Sequence, residues 1–117
     1  MKELFTEKLT FRVSGRLWVE SEQDRFLGPG RVELMEKIIE FGSIVKAAAA
    51  MQMSYKKAWD LVTSMNTQAK QPFVITQTGG KKGGGALVTE EGKKAMQAYR
   101  DLQQRFKEFL QKETELL

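Results

Sequence analysis

GSIVKAAAAMQMSYKKAWD, running from Gly42 to Asp60, is the stretch that decides the fold. Gly42 reads as a helix stop, since glycine commonly takes the left-handed conformation just past a helix end. Ser43 then reads as an N-cap for a short alanine-rich helix, SIVKAAAAM. Small side chains let such a helix pack closely on a neighbour. Gln52-Met53 separates it from Ser54, a second N-cap, and from the helix YKKAWDLVTSMNTQAK. The apolar positions of that helix are Tyr55, Ala58, Trp59, Val62 and Met65, all on one face. Tyr55 and Trp59 share this face with Val62, which favours a core role for both. Lys56, Lys57, Asp60, Thr63, Ser64 and Thr67 fall on the other face. Two helices joined by a tight turn are the result.

Upstream, Gly28-Pro29-Gly30 breaks structure before RVELMEKIIEFG. There Val32, Met35, Ile39 and Leu34, Ile38, Phe41 recur at three and four, which predicts a core helix with a wide apolar stripe. Before it, the odd positions Leu9, Phe11, Val13, Gly15, Leu17 and Val19 alternate with polar residues and Trp18, which predicts a half-buried strand. That strand could pair with the downstream hairpin or with its equivalent in a second subunit; its expected place is within the body of the domain. The run Glu20 to Asp24 reads as a loop.

Downstream, Pro72 closes the helix. PFVITQT and ALVT are short strand-like segments around a glycine-rich loop, the pattern of a β-hairpin. Thr89, Glu90 and Glu91 open a last helix, with a cap residue followed by acids where the helix dipole favours them. Along it Ala95, Tyr99, Leu102, Phe106 and Phe109 step by four and three, a seam of period about 3.5 that marks helix-to-helix packing. There is no internal repeat.

The loop GGKKGGGA, Gly79 to Ala86, has the residue types of a phosphate cradle but not the spacing. A P-loop needs a glycine where Ile75 stands and a Ser or Thr where Lys82 stands. The dinucleotide fingerprint would need its last glycine at Val88. Both loops also lead from a strand into a helix, whereas this one lies between two strands. A glycine-rich hairpin tip carrying Lys81 and Lys82 remains: either an exposed turn that is basic by accident, or a wing that meets a phosphate backbone. The order helix, short helix, tight turn, helix, hairpin favours the wing. The expected fold is mostly α with a small β component. It is a winged helix-turn-helix with an N-terminal strand and a long C-terminal dimerisation helix. One domain spans 1–117, divided into an N-terminal strand region (1–27), the winged core (28–89) and the dimerisation helix (90–117).

The chain has 117 residues, no cysteine and no histidine. That excludes disulfides, thiolate or imidazole metal sites and Ser-His or Cys-His nucleophiles. Glu90 and Glu91 could in principle do acid–base work, but they sit where a helix start wants acids anyway, and no nucleophile and base pair can be named. An enzyme, a cofactor and a metal are therefore not expected. No apolar run is long enough to span a membrane. MKELFTEKL lacks the apolar core of a signal peptide, so a cytoplasmic location is the default expectation.

The net charge is +4, and its distribution matters more than its total. Between Ser43 and Thr89 the charged residues are Lys46, Lys56, Lys57, Asp60, Lys70, Lys81 and Lys82, so the positive field sits mid-chain. A basic patch suits a polyanion, and a solvated lysine-rich face is the plain alternative. In a helix-turn-helix the N-terminal residues of the second helix meet the bases in the major groove. Here those are Ser54, Tyr55, Lys56 and Lys57. Asp60 could orient a neighbouring lysine or accept from cytosine, or simply form an intrahelical ion pair. Lys70 reads as a solvated charge.

Gly42-Ser43-Ile44, the alanines that follow, Ser54-Tyr55-Lys56 with Ala58-Trp59-Asp60, Asn66, and the loop Gly79-Gly80-Lys81 to Gly83-Gly84-Gly85-Ala86 resemble the DNA-binding domain of molybdate-responsive transcriptional regulators, the ModE type. The resemblance covers about residues 28–99. It implies a dimeric winged helix that binds double-stranded DNA through the recognition helix and the wing, with long helices pairing the subunits. The DNA-contacting candidates are Ser43, Ser54, Tyr55, Lys56, Lys57, Lys81 and Lys82. Full regulators of this type carry oxyanion-binding domains after the DNA-binding domain, and nothing up to Leu117 provides that site. Molybdate binding is therefore not expected of these residues. The function expected is an operator-binding homodimer acting on an inverted repeat; the alternative is a winged-helix module used for protein contact.

Overall fold

Proline at the first position of a helix loses no hydrogen bond, because that N–H has no partner within the helix. Pro29 stands at that position, and α1 runs Pro29–Phe41. The residue read as a breaker is thus the first residue of the core helix. The computed structural model describes residues 1–77 and 85–117. Helix α2 is Ile44–Ala50, α3 is Tyr55–Gln68 and α4 is Glu90–Glu115. Two antiparallel hairpins complete the described residues. Strand β1 (Val19–Glu20) pairs with β2 (Arg25–Leu27), and β3 (Val74–Gln77) pairs with β4 (Gly85–Val88). A 3₁₀ turn over Lys2–Leu4 opens the chain. The architecture is mostly helical with a small β component and a long C-terminal helix.

The core forms where α1, α2 and α3 meet. Leu34, Met35 and Ile38 from α1, Ala47 and Ala48 from α2, and Ala58, Val62 and Met65 from α3 are all buried. Alanines at the α2 contact allow the short helix to lie close against both longer ones. The stripe on α1 is narrower than its sequence suggests: Ile39 and Phe41 are exposed, because α2 turns away at Gly42 and nothing covers them among the described residues. Gly42 has φ +65°, the left-handed conformation expected after a helix end, and its N–H donates to the Ile38 carbonyl at 2.7 Å.

The hairpin of β3 and β4 is held at its base. Val74 pairs with Val88 and Gln77 with Gly85, which puts Val74, Ala86 and Val88 on the core side. The Ala86 N–H, on the edge of β4 away from β3, donates to the Gly42 carbonyl at 3.0 Å and ties the hairpin to the α1–α2 corner. Thr89 closes the far end. Its hydroxyl accepts from the Gly92 N–H at 3.1 Å and donates to the Pro72 carbonyl at 2.7 Å.

The N-terminal region departs from expectation. Residues 9–18 form no strand; only Val19 and Glu20 enter a ladder, with β2, and residues 21–24 form the expected loop between them. The segment lies instead along α4, running antiparallel to it. The Val13 N–H donates to Thr114 Oγ1 at 2.8 Å, and the Tyr99 hydroxyl donates to the Leu17 carbonyl at 2.7 Å. Gly15 faces the Phe106 ring so closely that a Cβ there would stand 3.1 Å from it. Of the alternating positions only Val13, Leu17 and Val19 are half-buried, while Leu9, Phe11 and Gly15 are exposed, so the period-two pattern marks no sheet here. The α4 seam is accordingly shared. Tyr99 is buried in the body, Phe106 is half-covered by the N-terminal segment, and Phe109 is exposed.

Candidate nucleic-acid interface

The short turn between α2 and α3 sets their angle. Gln52 takes φ +55°, the left-handed region that non-glycine residues adopt at some cost. The Gln52 N–H donates to the Ala49 carbonyl at 3.1 Å and the Met53 N–H to the Ala48 carbonyl at 3.0 Å, so the turn satisfies the last carbonyls of α2. Ser54 then starts α3 with extended backbone, its hydroxyl oxygen accepting from the Lys57 N–H at 3.0 Å. Ser43 does the same for α2, accepting from the Lys46 N–H at 3.2 Å. Each serine spends an acceptor on its helix and keeps its hydroxyl hydrogen for another partner.

The first turns of α3 present their polar side outward. Lys56 is 86% exposed and pairs with Asp60 Oδ2 at 3.0 Å, one turn further on. Lys57 is also exposed and has no carboxylate partner among the described residues. Tyr55 is 48% exposed, which corrects its core reading; Trp59 is half-buried against the core. The physical reason is position. Tyr55 is the first residue of α3, beyond the reach of α1, whereas Trp59 lies one turn deeper. The two rings meet edge to face with centroids 6.2 Å apart, and the indole N–H donates to the Tyr55 hydroxyl oxygen. That bond fixes the tyrosine ring and leaves its O–H directed elsewhere.

Ser43 and Tyr55 come together across a cleft of about 330 Å³ between α2, α3 and the hairpin base. Val45, Trp59, Thr76, Gln77 and Gly85 also line it. Lys56 and Lys57 stand outside the cleft on the exposed flank of α3. Lys81 and Lys82, expected at the hairpin tip, lie outside the described residues. The arrangement offers hydroxyl donors in a cleft beside unburied ammonium groups, a combination suited to phosphate oxygens.

Asn66 has a role that sequence reading did not assign. Its Oδ1 accepts from the Phe73 and Val74 N–H groups at 2.8 and 3.2 Å, and its Nδ2 donates to the Val74 carbonyl at 2.8 Å. One side chain on α3 thus fixes the start of β3, and hence the hairpin, relative to α3. Asparagine is a poor helix-interior residue whose amide favours backbone partners, which marks the position but not the strand it braces. Arg31 is a second such residue. Its guanidinium is buried and donates to Ser64 Oγ at 2.8 Å and Asp24 Oδ2 at 3.3 Å, linking α1, α3 and the β1–β2 turn. The Ser64 hydroxyl donates to the same carboxylate at 2.7 Å. This hydrogen bond, then the Arg25 N–H and the Arg31 charge, hold the Asp24 carboxyl below the usual aspartate range.

No helix among the described residues is long and apolar enough to cross a membrane. No protein-family model matches the chain. Among curated proteins it is 34% identical over 106 residues to the molybdenum transport protein ModE of Azotobacter vinelandii, covering 91% of this chain and 39% of that one. It is 39% identical over 92 residues to the transcriptional regulator ModE of Haemophilus influenzae, covering 79% and 36%. It is 39% identical over 83 residues to the DNA-binding transcriptional dual regulator ModE of Escherichia coli K12, covering 71% and 32%. The chain therefore spans less than half the length of these relatives. Two of the three are named as transcriptional regulators, and none of the three names is that of an enzyme.

Proposed function

We propose, from the premise that this chain is homologous over most of its length to the ModE-type transcriptional regulators, that it is a DNA-binding regulator acting as a homodimer on an inverted repeat. The observation that carries the reading is the exposed Tyr55-Lys56-Lys57 turn at the start of α3, beside a hairpin tied to the same core. The second helix of a helix-turn-helix enters the major groove by its N-terminal residues. Lys57, and Lys56 when released from Asp60, neutralise phosphates and displace condensed counterions. Ser43 and Tyr55 donate from the cleft, and Ser54 holds the first turn of α3 in place. Lys81 and Lys82 are assigned to the wing tip on the same reading, as a second set of phosphate contacts.

Fluorescence anisotropy with mixed-sequence duplex DNA over a salt series tests this. Affinity should fall log-linearly with salt, and Lys56→Ala/Lys57→Ala should lower the slope by about two. An absence of binding at low salt would sink the proposal and leave the fold to serve protein contact.

A further inference from the structure

Asp60 is an acid on a face proposed to meet a polyanion, and it needs an explanation. The Lys56–Asp60 pair joins groups 86% and 65% exposed, and a solvated i,i+4 pair contributes little to folding. A carboxylate near DNA phosphates also weakens binding, so neither stability nor affinity accounts for it. Both side chains rise from the outer face of α3, in its first two turns, where such helices contact base edges.

We propose that Asp60 is a specificity-determining residue that, with Lys56, reads a G·C step in the operator; this rests on the DNA-binding reading above. In the major groove guanine offers N7 and O6 as acceptors and cytosine offers the N4 amine as donor. An ammonium and a carboxylate one helical turn apart are the matching donor and acceptor. In the free protein their 3.0 Å contact keeps Lys56 from wandering to a phosphate, so Asp60 also positions the lysine that reads guanine. Lys57, with no carboxylate partner among the described residues, is left to the backbone. In an A·T pair thymine O4 stands where cytosine N4 was and the adenine N6 amine where guanine O6 was, so acceptor faces the carboxylate and donor faces the ammonium, and the pair is rejected.

The test is selection of bound sequences from a random duplex pool with the full chain, comparing wild type, Asp60→Ala and Asp60→Asn. Thermal melting of each variant confirms the fold. Asp60→Ala should lower discrimination at one G·C position by about tenfold. It should bind random DNA more tightly, because a carboxylate is removed from the face that meets the phosphates. Asp60→Asn should shift the same position toward A·T, because asparagine pairs with adenine N6 and N7. A merely structural ion pair would leave the base profile unchanged, and that result overturns the inference even if wild type binds DNA normally. If wild type binds no DNA at any salt, the parent reading fails and this one falls with it.

Discussion

Gly92 decides how closely α4 approaches the sheet. A Cβ added there would stand 2.5 Å from the Phe73 carbonyl oxygen and 2.7 Å from Val88 Cγ1. The first obstacle is backbone, held by the Thr89 N–H at 2.9 Å, and cannot rotate aside. Alanine would gain about 1 kcal/mol of helix propensity, but overpacking costs about 1–3 kcal/mol and dominates here because the clash is with main chain. Gly92→Ala should therefore lower the urea midpoint, with a net loss of up to about 2 kcal/mol. Gly30→Ala is the control: its Cβ would meet nothing within 4 Å, so the same change in α1 should be neutral or stabilising. Equal midpoints for Gly92→Ala and wild type would show that α4 shifts freely on the hairpin.

At the level of elements, the Arg31–Asp24–Ser64 cluster joins the β1–β2 turn to α1 and α3. Asp24 is held below the usual aspartate range, chiefly by the Ser64 hydroxyl. A carboxyl depressed in the folded state adds stability that is complete above its unfolded value and is lost as pH falls through the folded one. Wild type should thus lose stability below about pH 4 more steeply than Asp24→Asn, as read by denaturant midpoints across that range. Parallel curves would mean that the cluster is equally well formed with a neutral acid. No part of this cluster was legible from sequence, because its members lie 7 to 40 residues apart and each alone looks like an exposed polar residue. The capped helices were legible for the opposite reason. Ser43, Ser54 and Thr89 each bond the N–H three residues on, so the signal and the structure it makes are neighbours in the chain. The exposure of Tyr55 and the course of residues 9–18 depend on what lies beside them, which periodicity does not encode. Of the candidate interface, the order of helices and the lysine positions could be read; the Asn66 brace and the cleft that unites Ser43 with Tyr55 could not.

The whole molecule is drawn out, 64 Å long and 29 by 22 Å across. Its length comes from α4, whose 26 residues span about 39 Å, with the N-terminal segment laid along it. Apolar side chains gather on these two elements. Leu4, Leu9, Phe11, Phe109 and Leu116 are all exposed, and Phe106 stacks on Phe109 with centroids 6.4 Å apart. The Val13–Thr114 hydrogen bond brings the N-terminal segment to the end of α4, so these residues form a neighbourhood rather than scattered sites. The homodimer proposed above would cover them with a second copy, in line with the unsatisfied stretch of the α4 seam. Phe109→Glu places a charge there without touching the buried Met96 and Tyr99 that hold α4 to the body. Sedimentation at micromolar concentration should then give twice the chain mass for wild type and one chain mass for the variant, with unchanged helix content. With only one set of lysines on each duplex site, the variant's salt slope should fall to about half. A wild type that sediments as a monomer would rule out the pairing. A Phe109→Glu protein that stays dimeric would move the interface elsewhere, with exposed Ile39 and Phe41 on α1 the next surface to charge.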